Sequence, residues 1–219
     1  MVAWDYSSKE KSMYRYVSNA EIKPYKAICR SMLLSTTKEL RKVYGITSQI
    51  LLIGSGAARL VTRNGSGPFD LDYNLILQKI PQEYSINPEK IKKLIRITLD
   101  SHLVSGFSNG QDSTASITYV YHDKTGNPVF HFDLGIIRKD KKGFSYRLIN
   151  DKKNKAYIWN KVMDSKNIDA MVREINRSHG RPSLRKEYLA LKNKHLENQD
   201  GLPSYDIYAE AVNHIYSRR

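Results

Sequence analysis

Phe69-Asp70-Leu71-Asp72-Tyr73 places two carboxylates at alternate positions of a stretch, Phe69 to Leu77, in which apolar and polar side chains take turns. Alternation predicts a strand buried on one face, so residues at i and i+2 project from the same side. Two like charges held that close repel each other, a cost that a cation between them removes. Oxygen-only ligands in an open arrangement suit Mg²⁺ or Mn²⁺. An Asp-x-Asp pair on the solvent face of an amphipathic strand is the other reading, and it binds nothing. The rest of the chain must decide between the two.

Upstream, Gln49-Ile50-Leu51-Leu52-Ile53 is a continuous apolar run, which predicts a strand buried on both faces. It ends at Gly54-Ser55-Gly56, where a short helix opens through Ala57, Ala58, Arg59, Leu60 and Val61. Such a junction offers backbone N–H groups, the positive end of a helix dipole and the Ser55 hydroxyl to a phosphate. A tight turn explains the glycines without any ligand, and Arg59 reads equally as a phosphate contact or a surface charge. A dinucleotide fingerprint fits poorly. Arg59 stands where the last Gly or Ala belongs, and Asn64-Gly65-Ser66-Gly67-Pro68 leaves no room for a full βαβ helix. A P-loop is excluded, because no Gly-Lys-Ser/Thr follows.

Downstream, Phe130-His131-Phe132-Asp133-Leu134-Gly135-Ile136-Ile137 supplies a third acid. Phe130, Phe132, Leu134 and Ile136 share one face of this strand; His131, Asp133 and Gly135 share the other. A lone carboxylate in so apolar a strand is costly without a partner. Three carboxylates on adjoining strands can hold two metals about 3.5–4 Å apart, the arrangement used for in-line attack on phosphorus. The alternative for Asp133 is a solvent-face acid or one paired with a basic side chain. His131 reads as a hydrogen-bonded structural histidine more readily than as a partner of the site.

Residues 21 to 44 predict a helix, with Ile28, Met32 and Leu33 on one side and Lys38, Arg41 and Lys42 on the other, stopped by Gly45. Asn87-Pro88 starts a second helix carrying Ile91, Leu94, Ile95 and Thr98, expected to end near Gly106. Strands at Ala115 to His122 and Val129 to Arg138 flank the hairpin signal Asp123 to Pro128, and a strand near Phe144 to Ile149 completes the expected sheet. Beyond about residue 155 helix patterns take over at Ile168 to Ile175, Leu184 to Leu196 and Ile207 to Tyr216, the last with Ser204 placed to cap it. The expected organisation is therefore α+β: a core with its N-terminal helix over 1–155, and a helical module over 156–219 packed on it.

A net charge of +14 favours polyanionic partners (nucleic acid, nucleoside triphosphates or an acidic membrane surface) over a basic surface that only aids solubility. The excess is concentrated from Arg138 to Lys161 and from Arg173 to Lys194. Lys152, Lys153, Lys155 and Lys161 surround Tyr157 and Trp159, an interleaving that suits base stacking or, equally, a Trp that anchors the two modules. The Tyr-rich opening (Trp4, Tyr6, Tyr14, Tyr16, with Lys9, Lys11 and Arg15) reads as an arm packed on the core. No apolar run approaches the roughly 20 residues of a membrane span, and Met1 to Tyr16 has no signal-peptide character, so a cytoplasmic location without membrane contact is expected. Cys29 is a lone cysteine among Ile28, Met32 and Leu33, a buried thiol. The histidines lack metal-ligand spacing, and no zinc site is expected.

In this order, Gly54-Ser55, then Asp70-Leu71-Asp72, then Asp133 resemble the signature of the polymerase-β-like nucleotidyltransferase superfamily, over roughly residues 26 to 150. The Asn64 to Pro68 loop makes the interval from Gly-Ser to Asp-x-Asp longer than in many members, so no subfamily is assigned. The resemblance implies a nucleotidyltransferase-type mixed sheet flanked by helices, followed by a helical module that closes the nucleotide cleft. It implies that Asp70, Asp72 and Asp133 ligate a two-metal Mg²⁺ or Mn²⁺ site and carry the catalysis. Gly54, Ser55 and Gly56, with Arg59, would bind the triphosphate of ATP or another NTP. The expected reaction moves a nucleoside monophosphate to a hydroxyl of RNA or another nucleotide and releases pyrophosphate. An antibiotic nucleotidyltransferase is one alternative, and an aminoglycoside acceptor would demand acidic residues lining its pocket. A non-catalytic nucleotide- or RNA-binding module of the same fold is another.

Overall fold

The computed structural model describes residues 13–162 and 166–218. In chain order the elements are β1 (Tyr14–Tyr16), α1 (Asn19–Tyr44), β2 (Thr47–Ile53), α2 (Gly54–Ala58), β3 (Thr62–Asn64), β4 (Phe69–Lys79), α3 (Gln82–Ser85), α4 (Pro88–Asp100), β5 (Gln111–Asp112), β6 (Ile117–His122), β7 (Pro128–Lys139), β8 (Ser145–Asp151), β9 (Ala156–Lys161), α5 (Lys166–Arg177), α6 (Arg181–Asn198) and α7 (Ser204–Ser217). They form two compact units. One comprises Val17–Val61 and Pro68–Asp164, the other Met1–Tyr16, Thr62–Gly67 and Ser165–Arg219.

The larger unit is a mixed sheet with helices. Its strand order is β2-β4-β7-β6-β5, with β8 paired to β7 and β9 to β8. β4 and β7 run parallel, while β2 with β4, β6 with β7 and β8 with β9 run antiparallel. Phe69, Leu71, Tyr73 and Leu75 of β4 and Phe130, Phe132 and Leu134 of β7 are buried on one face. Cys29, Met32, Leu33 and Leu40 of α1, with Ile91, Ile95 and Leu99 of α4, complete that core. Each such apolar side chain contributes about 1.5–3 kcal/mol on leaving water. Because strand side chains alternate, packing this face sends Asp70, Asp72, Asp133 and His131 to the opposite one.

The start of α4 at Asn87 and the end of α1 at Gly45 follow the sequence signals. The Ser18 hydroxyl accepts from the Glu21 amide at 3.1 Å to start α1, and Gly45, with φ of 64°, ends it. Asn87 caps α4, which stops at Asp100 rather than near Gly106. β2 is an edge strand with Leu51 46% exposed, so the apolar run Gln49–Ile53 is not covered on both faces. Strands also continue past residue 155. β9 pairs Trp159 with Leu148 and Tyr157 with Asn150, which puts the expected 155/156 boundary at the start of a sheet strand.

In the other unit, β1 and β3 form an antiparallel ribbon, accompanied by α5, α6 and α7. Tyr14 and Tyr16 dock on α6 of this unit: the Tyr14 amide donates to Asn193 Oδ1 at 2.6 Å, and the Tyr16 hydroxyl to the Arg185 carbonyl at 2.7 Å. Trp4, Tyr6, Lys9 and Lys11 lie outside the described residues. Ser204 makes no cap; its hydroxyl instead accepts from Lys192 Nζ at 2.9 Å. No helix among the described residues is long and apolar enough to cross a membrane.

Candidate active site

The parallel pairing of β4 with β7 sets Asp72 opposite Asp133, Asp70 opposite His131 and Asn74 opposite Gly135. Neighbouring strands lie about 4.8 Å apart, so Asp72 and Asp133 leave the same sheet face side by side. On its other side β4 pairs with β2, where Ile53 stands opposite Asp72. Gly54 follows immediately, with φ of 57°, and a Cβ there would lie 2.7 Å from Asp72 Oδ2. Glycine is required twice over, for its backbone angle and for the approach of the carboxylate.

Asp72 shows the electrostatic consequence. Burial, then the charges of Asp133 and Asp70, push its carboxyl up to about 6, while Arg147 on β8 pulls the other way. Arg147 Nε and Asn74 Oδ1 are buried without a hydrogen-bond partner among the described residues, and both border the space that Gly135 leaves open. This face therefore carries an excess of carboxylate that one guanidinium only partly offsets.

The two flanking acids have protein partners. Asp70, 64% exposed, faces His131, with Oδ1 3.2 Å from Nδ1. Asp133 Oδ1 accepts from the hydroxyl of Thr118 and, at 3.2 Å, from that of Ser116. As they stand, no three His, Cys, Asp or Glu side chains among the described residues are gathered closely enough to hold a metal ion. The donor set nevertheless fits one in chemistry. It is all oxygen, and Asp72 and Asp133 sit at paired register positions on one face, where burial and then the charges of Asp133 and Asp70 raise the Asp72 carboxyl.

Beside them, α2 is five residues long, too short for the helix dipole expected of the junction to carry any weight. What the turn presents is the exposed Gly54, the half-buried Ser55 and the buried Gly56, whose carbonyl accepts from Lys26 Nζ at 3.0 Å. Arg59 is exposed, closes α2 in a left-handed conformation and, after burial, helps hold the Lys26 ammonium below its ordinary value.

Ser116, Thr118 and Arg147 were not anticipated from the sequence. Thr118 sits in an ordinary alternating strand and Ser116 in a polar turn, so only the register against Asp133 exposes them. The basic and aromatic hairpin of β8 and β9 is internally engaged: the Arg138 guanidinium lies 4.5 Å from the centre of the Trp159 ring, and the Tyr157 hydroxyl donates to Asp112 Oδ2 at 2.5 Å.

A mixed sheet with an acidic pair on β4, a third acid on the parallel β7 and a Gly-Ser turn beside them has the nucleotidyltransferase fold seen in solved structures. Vibrio cholerae DncV in complex with GTP shares it, with a TM-score of 0.64 and 13% identity over 91% of this chain and 69% of that one. So does the DncV cyclic AMP-GMP synthase in complex with the linear intermediate 5′ pppA(3′,5′)pG, with a TM-score of 0.61 and 12% identity over 91% and 68%. The Bradyrhizobium diazoefficiens CD-NTase CdnG in complex with GTP aligns at a TM-score of only 0.43 and 16% identity over 78% of this chain, too loosely to argue from. This chain spans 41% of CdnG and about two thirds of the DncV chains. At these identities the likeness establishes fold. No protein-family model matches the sequence, and no curated protein matches it.

Proposed function

We propose that this chain transfers a nucleoside monophosphate from a nucleoside triphosphate to a hydroxyl of a second nucleotide, releasing pyrophosphate, with Asp70, Asp72 and Asp133 as ligands of divalent metal. The observation that carries the reading is the register pairing of Asp72 with Asp133 beside the Gly54-Ser55 turn. DncV, a cyclic AMP-GMP synthase of the same fold, is seen in complex with the linear intermediate 5′ pppA(3′,5′)pG, which supports a nucleotide acceptor.

Asp70 and Asp72 would ligate both metals, and Asp133 would ligate the metal that binds the attacking hydroxyl and help remove its proton. Mg²⁺ or Mn²⁺ bound there would supply charge stabilisation to the in-line displacement at phosphorus. Gly54, Ser55 and Gly56 hold the triphosphate by backbone amides and the Ser55 hydroxyl, with Arg59 as a further contact. His131 keeps Asp70 oriented while the site is empty of substrate. Arg147 limits the repulsion that folding imposes on Asp72.

An RNA acceptor is the second reading, favoured by the net charge of +14. The deciding experiment incubates the chain with each labelled triphosphate and Mg²⁺ or Mn²⁺, with and without total RNA, and resolves products by size and nuclease sensitivity. Acceptor-free products that vanish in the Asp70→Asn/Asp72→Asn variant support nucleotide joining. Extension of RNA that falls steeply with salt supports the second reading, and absence of any metal-dependent transfer overturns both.

A further inference from the structure

Thr118 is directly opposite Asp133 in the antiparallel pairing of β6 with β7, so both side chains leave the same face. Ser116, two residues earlier, shares that face. Both hydroxyls donate to the same oxygen, Asp133 Oδ1, and among the described residues Oδ2 accepts no protein hydrogen bond. A carboxylate gripped through one oxygen has lost the rotation that would otherwise have to be frozen on ligation, and presents the other oxygen outward.

The grip on Ser116 is itself held by a network anchored on a buried lysine. Ser116 closes a turn on Ser113, its amide donating to Ser113 Oγ at 3.1 Å while Ser113 Oγ donates to the Ser116 carbonyl at 3.0 Å. Lys92 on α4, 2% exposed, fixes that turn from below: its Nζ donates to the Ser113 carbonyl at 2.9 Å and pairs with Asp112 Oδ1 at 2.5 Å. Asp112 is held in turn by the Tyr157 hydroxyl and by Asn150 Nδ2 at 3.2 Å. A lysine is buried only where its charge is matched and its protons are used, and here the product is a rigid Asp112–Ser116 turn. A surface turn left to solvent would not deliver a hydroxyl to one carboxylate oxygen.

We infer that Thr118 and Ser116 are positioning residues of the nucleotidyltransferase site, orienting Asp133 through Oδ1 so that Oδ2 takes the divalent cation. This rests on the reading of the three acids as metal ligands. Hydrogen-bond partners of metal-ligating groups are typically worth about 10–100-fold in metal affinity.

The test is a titration of the full chain with Mn²⁺ alone, free Mn²⁺ being read by electron paramagnetic resonance. Wild type is compared with Asp72→Asn, Thr118→Val, Thr118→Ser and Ser116→Ala, and circular dichroism confirms folding. Thr118→Val keeps the strand-favouring shape and should weaken Mn²⁺ binding about tenfold. Thr118→Ser should return to within about twofold of wild type, and Ser116→Ala should fall between. In turnover, raising Mg²⁺ should restore the kcat of Thr118→Val, which a general packing defect would not allow. If Asp72→Asn loses Mn²⁺ binding but Thr118→Val and Ser116→Ala bind as wild type or tighter, the positioning role is wrong and the ligand reading stands. Should Thr118→Val not fold, Ser116→Ala and Thr118→Ser decide in the same terms. If wild type binds no Mn²⁺, or Asp72→Asn binds it unchanged, the ligand reading fails and this inference falls with it.

Discussion

On the sheet, burial and then the charges of Asp133 and Asp70 push the Asp72 carboxyl up to about 6, whereas between α6 and α7 Asp200, Glu210 and Glu187 each meet a histidine. His195 stands 2.6 Å from Asp200 and 2.9 Å from Glu210. His214 stands 2.7 Å from Glu187, which Arg218 also reaches at 3.2 Å. Contact with His214 draws the Glu187 carboxyl below its ordinary value, and Asp200 and then Glu210 lift His195 above its own. The helical unit thus meets these three carboxylates with histidine, while on the sheet carboxylate stands beside carboxylate. Carboxyls shifted by burial and like charge cluster at functional sites.

The strongest way to break this comparison is to neutralise an acid on the sheet. Asp133→Asn should cut transfer by more than the roughly 100-fold typical of a ligand's hydrogen-bond partner. Steady-state assays at saturating Mg²⁺ check this, with the thermal transition expected to hold or rise.

Asp72→Asn sharpens it further. The carboxyl titrates near 6 folded and near 3.8 unfolded, so between those values the folded chain holds the proton more tightly. Stability therefore falls as pH rises from about 4 to about 6 and stays lower above. Asparagine carries no such cost. Without metal the variant should be more stable than wild type above pH 6, by at most on the order of 3 kcal/mol. The gain should vanish near pH 4, and urea denaturation at several pH values reads it.

Gly54→Ala forces a Cβ to 2.7 Å from Asp72 Oδ2 at a φ of 57°. The backbone angle alone costs about 1–2 kcal/mol. Activity should fall together with Asp72 placement, seen as weaker Mn²⁺ binding.

The smallest effect belongs to the balanced region. Because His195 is raised above its ordinary 6.5, its stabilisation is full below that value and is lost as pH rises through the folded one. Hydrogen exchange across α6 and α7 should show protection falling with alkalinity in wild type and a flatter profile in His195→Gln, by no more than about 1 kcal/mol.

Much of the sheet was legible, because alternation in Phe69–Leu77 and Phe130–Ile137 names both the buried face and the acids opposite it. Caps at Asn87 and Gly45 announced helix bounds through local chemistry. β9 was not legible: lysines around Tyr157 and Trp159 masked a strand whose rings are spent on Arg138 and Asp112. Nor was the edge position of β2, since an apolar run says nothing of which neighbours it finds. At the site, the three acids could be named but not their register. Without the register, Thr118 is one more threonine in a strand.

The central claim is that the sheet face at Asp72 and Asp133 binds divalent cation. A crystal of the chain grown with Mn²⁺ and a non-hydrolysable triphosphate, with data at the manganese edge, tests it in one measurement. The expected result is an anomalous peak bound by Asp72 and Asp133 with the triphosphate on the Gly54-Ser55 turn. A triphosphate bound with no manganese at those carboxylates contradicts it.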